Sequence, residues 1–477
     1  MAETTDAFHE VVIIGAGVAG LRCAHQLIHE KGVTDVLVVE AMDRIGGRIL
    51  PNTDFIPGMT VEVGAEMLHG ANTTLTKLAE EQKWSLREIF TWAQGDGGPT
   101  EPAPDGGIGY YYLGDQKRML AYDDTDPDFC HFNDAVEQLC EIEDIDAIPS
   151  NESMLDYFRK CNISESMMRL ADAGYANTAG SRLDDISLRI TCRYERQWIE
   201  LEDDGDYRIV PTFGRVIDFF KQGVSVQLSW PVATIDHTDP QRIVLTSKSG
   251  ERLSCRKLVV TVPTSVFLDI EYLPELPEAK QVAVRSFGMR RAAKVFMHFT
   301  DSFWPANTHG VICSDCFLPE FWVNSTQGVG ELIENGDEEY PASKSADQEV
   351  QYLVTGFAGA DCADRLHLLT EEEIVSRFLS QLDMIYATEE NPTPATKAFV
   401  KGMYLDWGDV DYVKGGYSYP RVGQTDHASK DLADSIDNRI FFAGEATSFE
   451  QPGMSVHSAM DTGSRAAKQV AESLNHP

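Results

Sequence analysis

No stretch of this chain approaches the ~20 apolar residues that a helix needs to cross a bilayer. The first apolar run, Val11–Ile14, is only strand-length. Basic residues are scarce: 40 Lys and Arg stand against 76 Asp and Glu, a formal net charge of -36. Such a surface repels nucleic acid and anionic membrane and attracts cations. Polyanion binding is excluded; both plain solubility and a cationic substrate fit. Paired cysteine motifs are missing too. The nine cysteines are odd in number, and only Cys313 and Cys316 form a CxxC. No second pair completes a zinc site, so no metal is expected and the cysteines read as free thiols in a reducing compartment. Met1–Glu10 has no basic leader and Leu474–Pro477 carries no sorting or lipidation signal. A cytoplasmic protein is therefore expected. Nothing here indicates an oligomeric state.

What is present is enough to fill a large core. Of 477 residues, 43% are hydrophobic and 9% aromatic, a size that suits two domains. Strand signals come in three separated pieces: near the N-terminus, over about 207–262, and at Arg439–Ala443. Helical character dominates from about Ala71 to Glu200. The alternation implies two domains that exchange the chain more than once.

The opening piece carries the clearest motif. Gly15-Ala16-Gly17-Val18-Ala19-Gly20 follows a buried strand and opens a helix, and Glu40 ends the next strand, 20 residues after Gly20. Gly15 permits the tight turn, Gly17 lets the backbone approach a pyrophosphate, and Gly20 lets the helix pack closely on the sheet. The helix N-terminus faces the phosphate charge. A carboxylate at Glu40 accepts hydrogen bonds from ribose hydroxyls and repels a 2′-phosphate, which disfavours NADP.

The residues that follow resemble one family. Glu40-Ala41-Met42-Asp43-Arg44-Ile45-Gly46-Gly47-Arg48 resembles the ExxxRxGGR segment of the FAD-dependent amine oxidases. Arg44 and Arg48 suit anion contacts through their planar donor forks. Val61–Gly70 is similar to the EVGAxWIHG segment of polyamine oxidases and lysine-specific demethylases, not to the GPMR segment of L-amino acid oxidases. Val259–Pro263, the Trp407–Tyr412 and Gly415–Tyr419 stretches, and Ala443–Ser448 resemble further family segments. The resemblance implies an α/β fold: a Rossmann-like FAD-binding domain (1–75, 205–285 and 396–477) interwoven with an α+β substrate-binding domain of mixed sheet and helices (76–204 and 286–395). It implies FAD held by Gly15, Gly17, Gly20, Glu40, Arg44, Gly47, Arg48, Val232, Glu445 and Val456. Gly416 stands where monoamine oxidases attach FAD through a cysteine, so the FAD is expected to be noncovalent.

Three residues are expected to carry chemistry. Lys294 alternates with Phe296 and His298 along a strand and resembles the lysine of the family's KIFLxF strand, which holds a water near flavin N5. A cation there stabilises negative charge developing on oxygen. Tyr417 matches one wall of the family's aromatic cage. His69, with Glu66 three residues before it, sits where polyamine oxidases contact the substrate amine. The second cage wall departs from the pattern: Gln451–Ala459 is one residue longer and offers Met454 or Ser455, so Phe449 or Trp407 is left to complete the cage. Trp304, Phe321 and Trp322 read as core or as pocket wall, with core the better fit.

The expected activity is that of a polyamine-oxidase-like enzyme. A small cationic amine reaches the flavin uncharged, hydride passes to the flavin, and O2 is reduced to hydrogen peroxide. The same motifs also suit a methyl-lysine demethylase, an L-amino-acid oxidase, or a catalytically impaired FAD-binding scaffold. Retention of Lys294 and Tyr417 argues against the scaffold. The absence of a separate N-terminal helical domain or a coiled-coil insertion favours free small amines.

Overall fold

The structure is a computed structural model that describes residues 7–90, 107–121, 124–202, 205–306, 308–326 and 349–475. Val11–Ile14 is the buried half of the first strand, Ala7–Ile14. After the glycine turn the helix Val18–His29 returns to the strand Val36–Val39, which pairs parallel with the first, Val11 opposite Val36. The eight-stranded sheet runs Ser225–Gln227, Val36–Val39, Ala7–Ile14, Arg252–Val260, Ile243–Ser247, Val232–Asp236, Glu271–Leu273. Its last strand in chain order, Ile440–Phe442, lies parallel beside residues 258–260.

Arg252–Val260 joins two regimes. Its first half pairs antiparallel with Ile243–Ser247, and its second half pairs parallel with Ile440–Phe442. The parallel strands are covered on both faces and accordingly read as continuous apolar runs. On one face, Val18–His29 packs with the terminal helix Val456–Asn475 in a core that includes Leu21, Leu27, Phe441 and Val470. On the other, Trp230, Ile235, Leu258 and Phe442 form a second core with Ala283 and Leu432.

The second sheet runs Phe399–Asp406, Ala292–Phe299, Tyr352–Gly359, Glu320–Ser325, Thr308–Ser314, Ile108–Leu113, Arg118–Ala121. Ala292–Phe299 is flanked on both sides and buried along its whole length, so Lys294 lies on a central strand. Phe399–Asp406 belongs to this sheet, not to the 396–477 piece that the sequence assigns to the nucleotide side. The helical stretch expected over Ala71–Glu200 is interrupted by strands as well as loops. Tyr110, Tyr111 and Tyr112 pair with Ala121, Leu120 and Met119, because aromatic residues fit a pleated, half-buried surface. Among the described residues the α-helices Thr74–Glu81, Pro127–Glu141, Met154–Lys160, Glu165–Ala171 and Leu188–Gln197 carry most of the rest. Among the described residues no helix is long and apolar enough to cross a membrane.

Candidate active site

A single long cavity joins the two sheets. The space free of protein atoms, with the open solvent at its mouth included, is about 1640 Å³. One end is lined by Gly15, Gly17, Glu40, Gly47 and Val232, the middle by Arg48, Glu445, Ser455 and Val456, and the far end by Lys294, Phe357, Trp407 and Tyr417.

The glycine turn is built by close approach. A Cβ at Gly20 would stand 1.9 Å from the Gly15 carbonyl oxygen, so only glycine lets this helix start so near the strand. A Cβ at Gly17 would meet no protein atom within 4 Å, yet Gly17 lines the cavity. Nothing in the protein forbids a side chain there; an occupant of the cavity would. Glu40 is buried beside the turn, where its carboxylate accepts from Ala16 N at 2.7 Å and Met42 N at 2.9 Å. It therefore holds the turn as well as facing the cavity. Gly20 lies behind this surface. Arg44 is not among the residues lining the cavity; its Nη1 donates to Ile45 O at 3.3 Å.

Arg48 and Glu445 close the middle of the cavity across 397 residues of chain. Arg48 Nη1 donates to Glu445 Oε1 at 3.1 Å and to Gly416 O at 2.9 Å. The other Glu445 oxygen accepts from Ser418 Oγ at 2.5 Å. Removing the carboxylate strands a guanidinium at the cavity wall. Glu445→Ala is expected to weaken FAD retention by about tenfold or more, as the loss of a charged hydrogen-bond partner does. Equilibrium dialysis of the flavin checks this; an unchanged Kd would remove Glu445 from the site.

At the far end Lys294 is held tightly. Its Nζ donates to Glu62 O at 3.1 Å, Gly64 O at 2.8 Å and Glu66 Oε2 at 3.1 Å. Glu66 is shared with Arg208, whose Nη2 lies 2.9 Å from Oε1. Burial pushes the Glu66 carboxyl up, but Lys294 and Arg208 outweigh it and hold the group below the usual range. Two cations around one anion leave the cluster net positive. The ammonium's three protons are all taken by these acceptors, so its charge, rather than a spare N–H, reaches the cavity. Glu62 lies alongside: burial pushes its carboxyl up to about 7, against hydrogen bonds from Thr212 and Phe213 N.

The aromatic end is fuller than the sequence indicates. Tyr417 lines the cavity and its hydroxyl donates to Thr178 O. Trp407 lines it too, pinned by its indole N–H on Val63 O at 3.2 Å. Phe357 is a wall that sequence reasoning missed; it packs with Ala292, Trp322 and Tyr417. Phe449 takes no part: it is 40% exposed, with Arg465 stacked on its ring. Phe321 is core, and Trp304 packs on Phe299 and Phe303. The longer 451–459 turn has a local cause. Ser455 Oγ accepts from Ser458 N at 3.1 Å, and Ser458 Oγ donates back to Ser455 O at 2.8 Å. Ser455 thus caps the terminal helix where an aromatic residue is expected.

His69 is not brought to the cavity. It sits 47% exposed with Nδ1 2.5 Å from Asp206 Oδ1. Glu66 lies with Lys294 and Arg208, not on the cavity wall.

The sequence profile described as flavin containing amine oxidoreductase matches residues 18–471. The chain belongs to this family. By family it is a flavin-containing amine oxidoreductase. Among curated proteins it is 28% identical to Lysine-specific histone demethylase 2 of Homo sapiens over 484 aligned positions, covering 97% of this chain and 53% of that one. It is 24% identical to Polyamine oxidase 3 of Oryza sativa subsp. japonica, covering 96% and 88%. The chain therefore spans about half the length of the demethylase. Among solved structures, cyclohexylamine oxidase from Brevibacterium oxydans IH-35A superposes with a TM-score of 0.77 at 21% identity, covering 99% of this chain and 100% of that one. Wild-type putrescine oxidase bound to putrescine superposes with a TM-score of 0.76 at 18% identity, covering 98% and 99%. Both show the same fold.

The cavity of this amine oxidoreductase fits FAD in shape and donor set. Gly17 leaves open space at the turn, Glu40 faces it with lone pairs, and Arg48 adds a cation midway. Among the described residues no cysteine lines the cavity, so none is placed to bond a flavin.

Proposed function

We propose that this amine oxidoreductase is a polyamine-oxidase-like enzyme. It oxidises the C–N bond of a small amine to an imine, and water releases an aldehyde and a smaller amine. FAD, when bound, supplies the two-electron acceptor and returns the electrons to O2, giving H2O2. The balance is one amine, one O2 and one water to one aldehyde, one smaller amine and one H2O2.

A single observation carries the reading: the nucleotide cradle at Gly15–Glu40 and an aromatic chamber with a buried cation open into one cavity. The chamber walls, Tyr417, Trp407 and Phe357, exclude water and favour the uncharged amine, whose lone pair assists loss of hydride. The cationic Lys294 cluster stabilises the negative charge that oxygen acquires. The net charge of -36 draws cations from solution. Nine free cysteines accord with a reducing, cytoplasmic setting.

A second reading, demethylation of methylated lysine, is favoured by the likeness to the human demethylase over 97% of this chain. Mixing the purified yellow protein anaerobically with spermine, spermidine, their acetyl forms, monoamines, amino acids and a methyl-lysine peptide separates the two. Bleaching by free amines is expected. Bleaching by the peptide alone would favour the second reading, and no bleaching by any of them would end both.

A further inference from the structure

The CxxC motif has no part in the chemistry above. Cys313 lies near the end of the strand Thr308–Ser314. The chain then turns through Asp315, whose φ of 54° is in the left-handed region that aspartate tolerates better than most residues. Beyond the turn, the Cys316 thiol shares a hydrogen bond with that of Cys313.

The backbone between the two strands is tied down around this pair. Cys313 N donates to Pro319 O at 2.7 Å. Gln381 accepts from Leu318 N at 2.7 Å and donates to Leu318 O at 2.9 Å. Arg169 Nε donates to the Asp315 carboxylate at 2.8 Å. Bonding the two sulfurs therefore calls for side-chain rotation within a turn already closed.

The pair sits away from the flavin cavity. In the strand register Phe357 lies opposite Glu320, and Glu320 lies opposite Ile312. Directly paired residues share a face, and Phe357 lines the cavity. Cys313 follows Ile312 and so points to the other face. There it joins a core with Val311, Phe321 and Phe378, the last from the helix Glu371–Tyr386.

The two thiols differ in exposure and in charge. Cys313 is buried and Cys316 half-buried. Burial pushes the Cys313 thiol well above the usual range. The hydrogen bond from Cys313 holds Cys316 below it, against burial and the Asp315 charge. The proton thus stays on the inner sulfur, and negative charge gathers on the outer one. A buried cysteine is ordinarily a small apolar filler, which accounts for Cys313 alone. A half-buried thiolate backed by a second thiol is the arrangement that peroxides oxidise.

We propose that Cys313 and Cys316 form an oxidation site for hydrogen peroxide, which converts the two thiols to a disulfide that thiol reductants reverse. Cys316 sulfur attacks one peroxide oxygen, the O–O bond breaks, and hydroxide leaves to become water. Cys316 is then a sulfenic acid. Cys313 gives up its proton as its sulfur attacks Cys316, and the S–O bond breaks to release a second water. Two thiols and one H2O2 give one disulfide and two waters. The amine-oxidase reading enters only as the source of the peroxide.

The test adds reagent H2O2 to the FAD-loaded protein, quenches with catalase, alkylates the remaining thiols and maps them by peptide mass spectrometry. The peptide holding both cysteines is expected to lose two hydrogens, to take up no alkyl label and to regain both thiols with dithiothreitol. Cys316 should be consumed at least about tenfold faster than Cys130, Cys140 and Cys161, the other half-buried thiols. Cys313→Ser should stop at the sulfenic acid, captured by dimedone on Cys316. Cys316→Ser should leave Cys313 reduced at the same exposure. That variant should also keep wild-type flavin content and bleaching rate, because the pair faces away from the cavity. Cys316 reacting no faster than the other three, or passing to sulfinic acid while Cys313 stays alkylatable, would overturn the proposal. If no amine turnover yields peroxide, the oxidase reading fails, while the added peroxide still decides the role of the pair.

Discussion

Lys294→Met should give a yellow, folded enzyme that returns from the bleached to the oxidised state about 100-fold more slowly in air-saturated buffer, the scale set by removing one preorganised charge from a water-excluded site. The side chain is buried, and methionine replaces its length without its charge. Glu66 keeps Arg208 at 2.9 Å, so no buried carboxylate is left unpaired and the fold is spared. What changes is the field: the cluster of Lys294, Arg208 and Glu66 loses one positive charge where oxygen must accept electrons. The residues expected to hold FAD at the nucleotide end, Gly15, Gly17 and Glu40, with Arg48 midway, are untouched, so its affinity should change little. Stopped-flow mixing of amine-bleached enzyme with oxygen reads the rate. An unaltered rate would show that Lys294 has no such role, and loss of flavin would show a structural one instead.

Two neighbouring glycines should fail in different ways. Gly20→Ala places a Cβ 1.9 Å from a backbone oxygen and 3.1 Å from Thr261 Oγ1. A carbonyl cannot rotate aside as a side chain does, so the turn itself must shift. Overpacking of this kind costs about 1–3 kcal/mol or more. The variant is expected to be purified colourless, with a lower thermal midpoint even as apoprotein. Gly17→Ala adds a methyl group that meets no protein atom within 4 Å. Its apoprotein should melt with wild type, yet it should bind FAD at least tenfold more weakly, because the methyl group occupies the space where the pyrophosphate approaches. Flavin absorbance against protein absorbance, with apoprotein melting curves, checks both. Wild-type FAD affinity in Gly17→Ala would contradict this placement of the pyrophosphate.

Much of the nucleotide end was legible because its signals are local. The spacing from Gly15 to Glu40 encodes strand, turn, helix and strand, and backbone geometry then forces the rest. The chamber end was less so, since motif matching places a Cα but not the direction of its side chain. His69 shows the difference. Leu68 and His69 pair with Tyr207 and Asp206, and in a period of two only one of them faces inward. Leu68 is buried at 1% exposure and His69 is turned out to Asp206. Arg44 likewise matches its motif and bonds its neighbour's carbonyl instead of facing the cavity. Phe357 and the Glu66–Arg208 pair arise from strand register and from contacts up to 142 residues apart, which no local pattern announces. Ser455 was readable as a departure but not as a helix cap, because the cap depends on where the terminal helix starts.

The cavity draws its lining from residues as far apart in sequence as Ile14 and Ala459. A chain still emerging from the ribosome can fold the glycine turn early, but it cannot yet place Glu445 against Arg48 or lay Ile440–Phe442 beside residues 258–260. Cofactor capture thus waits until Glu445 and the helix Val456–Asn475 have been made, and bound flavin would mark a polypeptide synthesised at least that far.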